Sequence, residues 1–283
     1  MATVHPTAIV EGDVRLADDV TIGPHCVLRA PAGTSIVIGR GSRLMGQSWI
    51  EGPAVLGTGN TVYPFVTLGF SPQDLKWDPA DAGAGVTIGD ANVFREGASI
   101  HRATSRTTPT IIGNSNYFMA NSHAGHDARI GNNCIFANGT LLAGHVVIGD
   151  RVVTGGNVCV HQFCRIARGC MLSGAVATGR DLPPFVTLTG LNIVGSLNIV
   201  GLRRSGADAE TIQHVRWVYK TLYREGVSPR AALPALRERE HVPVVREYIE
   251  FIESSKRGIC PSHGGSGRRS LTTNDGGAEQ LEE

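Results

Sequence analysis

Four of the chain's ten histidines, His123, His126, His145 and His161, fall inside one stretch, and two other residues stand directly beside them. Asp127 follows His126, and Gly144 precedes His145. Imidazole gains and loses a proton near neutral pH, so a placed histidine suits general-base work. A neighbouring carboxylate can fix its tautomer, and a glycine offers a backbone N–H that no side chain shields, as a developing oxyanion requires. Converging imidazoles can instead hold a divalent metal. The carboxylate attached to His126 favours the base: His126 as base, Asp127 as its orienting group, the Gly144 amide as oxyanion donor, with neither metal nor cofactor.

These residues sit on a strict beat. Counting in sixes from Ile112 gives Phe118, Ala124, Ile130, Phe136, Leu142, Ile148, Thr154, Val160, Ile166, Leu172 and Thr178. Neither a helix nor an ordinary strand has that period; a parallel β-helix does, each hexapeptide supplying one short strand and one corner. Ile-Gly recurs at 112, 130 and 148, so eighteen residues make a coil of three strands, a triangular prism with coils about 4.8 Å apart. His126 and His145, nineteen residues apart, then share an edge on adjacent coils. His161 continues that edge, and His123 lies near the preceding corner.

The same beat opens the chain at Val4, Val10, Leu16, Ile22 and Leu28, breaks at 31–37, and resumes from Ile38 to Leu68. A long interruption at 70–85, FSPQDLKWDPADAGAG, predicts a protruding loop, where function commonly sits. A shorter one covers 101–110. Asn114, Asn116, Asn132 and Asn133 are expected at corners, because asparagine tolerates left-handed backbone angles. The β-helix is expected over 1–190, followed by a connector at 191–207. The spacing then turns helical over 208–258: Asp208 caps a helix stopped by Gly226, Ser228-Pro229 opens a second, and a third covers 242–255. Three such helices would cover the open end of the last coil. The tail, 259–283, has the composition of a disordered segment.

Twenty-six lysines and arginines against 25 acidic residues leave a formal charge of +1, which predicts no global attraction to nucleic acid or to anionic membranes. No run of apolar residues is long enough to span a bilayer, and the N-terminus lacks a basic segment followed by an apolar one. The six cysteines show no CxxC pair, which fits reduced thiols in a soluble cytoplasmic protein.

The motifs NSHAGHD (121–127), LAGHV (142–146), VHQFC (160–164), DLPPF (181–185), QDLK (73–76) and NIVGLRRSG (198–206) closely resemble, in this order, the acyl-carrier-protein-dependent UDP-N-acetylglucosamine O-acyltransferases of lipid A synthesis. The resemblance reaches from the N-terminus to about Gly258. It implies a left-handed coil, a homotrimer with sites between subunits, and transfer of a 3-hydroxyacyl chain from acyl carrier protein to the sugar 3-hydroxyl. Position by position it implies His126 as base, Asp127 as orienter and the Gly144 amide as oxyanion donor. His123, His145, His161 and Gln162 would line the acceptor and acyl sites, and Gln73, Asp74 and Lys76 would form the loop that reaches a neighbouring subunit. Asn198 and Arg204 would lie on the nucleotide side, and Gly174 would leave room for a long acyl tail. Two positions depart from the pattern: Val200 stands where the family usually has an acidic residue, and Ser205 where it has a basic one. Arg216 and Lys220, one turn apart, are expected to dock the acidic carrier. The alternatives are a related transferase for a 3-amino or other nucleotide sugar, and a metal-dependent protein like the γ-class carbonic anhydrases. Those enzymes typically use a His-x4-His pair, which His123 and His126 do not match.

Overall fold

The computed structural model describes residues 1–78 and 80–262; the rest of the expected tail lies outside the described residues. Residues 1–190 wind into a parallel β-helix of about ten turns. Its three faces are sheets of eleven, nine and eight strands, paired in parallel except for one antiparallel strand at the end. The eighteen-residue period appears directly as register: Ile112 pairs with Ile130, Ile130 with Ile148, and Ile148 with Ile166.

Every beat position from Ile112 to Thr178 is buried on the prism axis. Alternation makes this possible, since neighbouring side chains on a strand point to opposite faces and only one of each pair can enter the narrow interior. The rings of Phe94, Phe118 and Phe136 stack along the axis, with centroids 5.1 and 4.7 Å apart. The first coil differs. Val4 and Val10 keep the beat yet are 42% and 41% exposed, because no coil lies beneath them.

The asparagines do another job than the one expected. Of the four named, only Asn133 has a left-handed backbone. Asn116 is buried inside an edge, where its Oδ1 accepts from the Cys134 N–H at 2.8 Å and its Nδ2 donates to the Gly131 carbonyl at 2.9 Å. Asn92 and Asn60 repeat this arrangement on earlier coils. Asn114 and Asn132 form a second ladder outside it, each accepting a backbone N–H from the preceding coil.

The two interruptions are joined. Arg102, 3% exposed, donates to the Gly69 carbonyl and the Ser71 hydroxyl, pinning the start of the loop at 71–85. The Ala84 N–H reaches the Ser105 carbonyl at 2.8 Å, and Arg106 pairs with Asp81 at 2.7 Å. Thr104 and Ser105 of the second interruption in turn bond the Asp127 carboxylate, so the joined loops lean on the coil that carries His126.

Beyond the last strand of the coil, Val186–Gly190, the segment expected as a connector is ordered structure: strand Ile193–Leu197 pairs back against it antiparallel, and a short helix α1 spans Ile199–Arg204. Asn198 caps α1, its side chain accepting from the Gly201 N–H, a local bond that hydrophobic spacing does not reveal. Helix α2 covers Ala209–Tyr223, capped by Asp208 as expected. Helix α3, Leu233–Arg237, starts later than Ser228, and α4 spans Pro243–Glu253. Arg168 grips Glu247 at 2.6 Å and the Tyr248 hydroxyl donates to the Pro184 carbonyl at 2.6 Å, tying α4 to the last coil. Residues 259–262, expected as the start of the tail, are instead packed: Ile259 bridges to Asp181, Ser262 bridges to Val194, and Cys260 is fully buried. Composition misses this because two buried side chains suffice to hold so short a segment.

Candidate active site

One prism edge carries the chemistry. Asp127, His145 and Phe163 occupy the same corner on three successive coils, all left-handed, with φ of 59°, 58° and 64°. His126 immediately precedes that corner, and its Nδ1–H donates to Asp127 Oδ2 at 2.8 Å. The same oxygen accepts from the Thr104 N–H at 3.0 Å and the Thr104 hydroxyl at 2.8 Å, while Oδ1 accepts from the Ser105 N–H at 3.2 Å. Burial pushes the Asp127 carboxyl up, but the bonds from His126, Thr104 and Ser105 outweigh it and hold the group below its ordinary value. A persistent carboxylate facing Nδ1 keeps the proton there. The Nε2 lone pair is left free.

Nε2 lies against Gly144. A Cβ at residue 144 would stand 2.7 Å from His126 Nε2 and Cε1, so only glycine lets the imidazole occupy this place. Among the described residues the Gly144 N–H donates to no protein acceptor, which leaves a free amide beside the base.

The base opens into a cavity of about 940 Å³, also lined by Gln73, His101, His123, His161 and Gln162. Its floor includes Leu141, Cys159 and Ala177, one column of outward positions on consecutive coils, which offers an apolar track leading away from His126. His123 lies on the flat of a sheet, not at a corner, sharing a 2.9 Å hydrogen bond with Ser99. Burial, with smaller contributions from His101 and His126, lowers it to about 4, so it is neutral at physiological pH. His101, which the spacing did not single out, packs edge-on to His123 at 5.2 Å and donates from Nδ1 to the Ser71 carbonyl. Thr104 and Ser105 were missed as well. All three fall in or beside the broken stretch, and only the return of the beat at Ile112 could have hinted that the break closes on one coil.

His145 is placed differently from the expectation. It lines a separate cavity of about 360 Å³ with Thr104, Asp127 and Arg129, on the other side of the corner. Its ring stands perpendicular to that of His126, 5.0 Å away, and its Nε2 is 3.7 Å from Asp127 Oδ2. Donor atoms of His126, Asp127 and His145 lie within 4.8 Å of one another, a spacing a metal ion could use. Asp127 Oδ2, however, already accepts three hydrogen bonds, one of them from His126 itself, so the trio is arranged to orient an imidazole.

The family model for UDP N-acetylglucosamine O-acyltransferase, domain 2, matches residues 181–260, and the bacterial transferase hexapeptide matches 109–144. The chain is 40% identical over 263 residues to the acyl-[acyl-carrier-protein]--UDP-N-acetylglucosamine O-acyltransferase of Thermodesulfovibrio yellowstonii, covering 92% of this chain and 100% of that one. It belongs to the UDP-N-acetylglucosamine O-acyltransferase family. The protein of the same name from Stutzerimonas stutzeri is 39% identical over 262 residues, covering 92% of this chain and 99% of that one. The crystal structure of the Francisella novicida UDP-N-acetylglucosamine acyltransferase matches with a TM-score of 0.87 at 34% identity, over 93% of this chain and 96% of that one. The fold is accordingly a left-handed parallel β-helix with a helical C-terminal region.

The remaining expected residues of this family member stand apart from the cavity. Asp74 and Lys76 are exposed on the long loop, where Asp74 Oδ1 accepts from the Lys76 N–H at 2.9 Å in a local turn. Gly174 is exposed at another edge, with its nearest neighbour 3.5 Å from where a Cβ would stand. Asn198 spends its side chain on capping α1 and on the Gly169 carbonyl. Arg204, Arg216 and Lys220 are exposed. Val200 is 58% exposed, and the Ser205 hydroxyl donates to the Leu202 carbonyl.

Proposed function

We propose that this chain transfers a 3-hydroxyacyl group from acyl carrier protein to the glucosamine 3-hydroxyl of UDP-N-acetylglucosamine, the first step of lipid A synthesis. One observation carries the chemistry: a histidine whose Nδ1 is spent on a locked carboxylate and whose Nε2 lies against Gly144, a residue with an uncommitted amide, both of them lining a large cavity. In this mechanism Nε2 removes the proton of the sugar 3-hydroxyl as that oxygen attacks the thioester carbonyl. The tetrahedral oxyanion takes a hydrogen bond from the Gly144 N–H. When the intermediate collapses, the carbon–sulfur bond breaks and the imidazolium returns its proton to the leaving thiolate. A positioned base contributes about 10²–10⁴-fold to such a step.

The names of the relatives support the donor and acceptor classes. The working unit is a homotrimer in the cytoplasm, and the site is completed between subunits. Gln73, Asp74 and Lys76 then reach a neighbour from a loop anchored by Arg102, and Asn198 and Arg204 serve the nucleotide. Exposed Arg216 and Lys220 on α2 face the acidic carrier protein. Gly174 leaves a groove open for a long tail, each buried methylene being worth about 0.8 kcal/mol. No described helix is long and apolar enough to cross a membrane.

The test is a transfer assay with purified protein, UDP-N-acetylglucosamine or its 3-amino counterpart, and 3-hydroxyacyl carrier-protein thioesters of several lengths. O-acylated product with a long-chain preference is expected. Product only from the 3-amino sugar moves the reading to the related acceptor, and no product from either sugar removes it.

A further inference from the structure

The corner that bears Asp127 and His145 continues one coil further to a phenylalanine. Phe163 holds φ of 64°, and the residue is 52% exposed. Both facts are costly. A bulky residue in the left-handed region crowds its own carbonyl, and an exposed aromatic ring gains little from burial. Matching corner positions over the same coils mostly avoid the cost: Asn121, Gly139 and Asn157 on one edge, Asn133 and Gly169 on the other, with Arg151 a long exception. Left-handed aromatics occur elsewhere, at Phe65 and Phe185. What sets Phe163 apart is its neighbour.

The Phe163 ring lies parallel to that of His145, with centroids 4.5 Å apart and planes 10° apart, and the Phe163 N–H donates to the Gly144 carbonyl at 3.1 Å. His145 in turn meets His126 edge-on, with its Nε2 turned towards Asp127. His145 is itself partly exposed; its backbone N–H is held by the His126 carbonyl at 2.9 Å, but its ring makes no hydrogen bond among the described residues, the 3.7 Å approach to Asp127 being too long for one, so the ring needs something else to keep it in place. Backbone and ring of Phe163 thus touch the residue on each side of the Gly144–His145 peptide. We propose that Phe163 is a positioning residue: its stacked ring fixes the plane of His145, and through His145 the packing of the His126–Asp127 pair, at the expense of backbone strain.

The inference rests on the transferase reading of the site, but its test uses ratios between variants. Wild-type turnover tests that reading; only the ratios test Phe163. Phe163→Gly removes the ring and relieves the positive φ, so it is expected to melt at or above the wild-type temperature. Turnover should fall about tenfold, the scale of one stacked aromatic pair, with KM for both substrates little changed. Phe163→Tyr, which keeps a flat ring, should retain most of the turnover, and Phe163→Leu, which keeps bulk without a flat ring, should not. In a His145→Ala background Phe163→Gly should have no further effect, because the residue it positions is gone. Equal losses with and without His145, or a Phe163→Gly turnover within twofold of wild type, would overturn the proposal. A drop in the melting temperature that Phe163→Tyr and Phe163→Leu restore together with turnover would make Phe163 a packing residue and overturn it too.

Discussion

Two edges of the same prism are built from the same repeat and spend their polar side chains in opposite ways. On the asparagine edge Asn60, Asn92 and Asn116 point inward, are at most 1% exposed, and use each amide on both a backbone N–H and a backbone carbonyl. Nothing there is left over. On the histidine edge the donors converge on one carboxylate, and the groups left uncommitted, His126 Nε2 and the Gly144 N–H, belong to residues that line a cavity. A closed hydrogen-bond ladder stabilises the prism, whereas an edge with spare valences can act on a substrate.

The contrast is broken most sharply at Gly144. Gly144→Ala places a methyl 2.7 Å from the His126 ring, which must swing away from the amide. Turnover should fall about 10²–10³-fold, as when an oxyanion donor is lost, with the melting temperature nearly unchanged. Asn116→Ala should do the reverse. It strands the Cys134 N–H and the Gly131 carbonyl inside the prism, costing about 2–4 kcal/mol in denaturant titrations, with turnover per folded molecule kept.

A smaller effect comes from acid. The unfolded chain protonates His123 near 6.5, whereas the folded chain resists until about 4. Between those values the unfolded state binds more protons, so stability falls as pH drops from about 6.5 towards 4 and gains nothing from this group above 6.5. Urea midpoints at pH 7.5, 6 and 5 should show that decline, and His123→Gln should flatten it. An equal decline in the variant assigns the acid sensitivity elsewhere.

How much of this was legible in the sequence depends on whether the repeat was intact. Unbroken hexapeptides carried the buried positions from Ile112 to Thr178, because one axial residue per strand is a property of spacing alone. They also brought His126 and His145 to one edge, where the rings lie 5.0 Å apart. Thr104, Ser105 and His101 stayed hidden because the loops around them have no period; only folding shows that they close over Asp127 and Ser71. Asn114, Asn116 and Asn132 are expected at corners yet belong to the two ladders, because composition registers an asparagine without showing which way it points. Helix α1 and residues 259–262 were missed because each is held by a few bonds, too short a segment for spacing to mark.

The central claim is that His126 is the base and that the prism stands without it. Turnover and melting temperature of His126→Ala, measured on one preparation with carrier-protein thioester and UDP-N-acetylglucosamine, test it directly. A loss of about 10²–10⁴-fold at an unchanged melting temperature is expected. Retention of more than half the wild-type rate would contradict it.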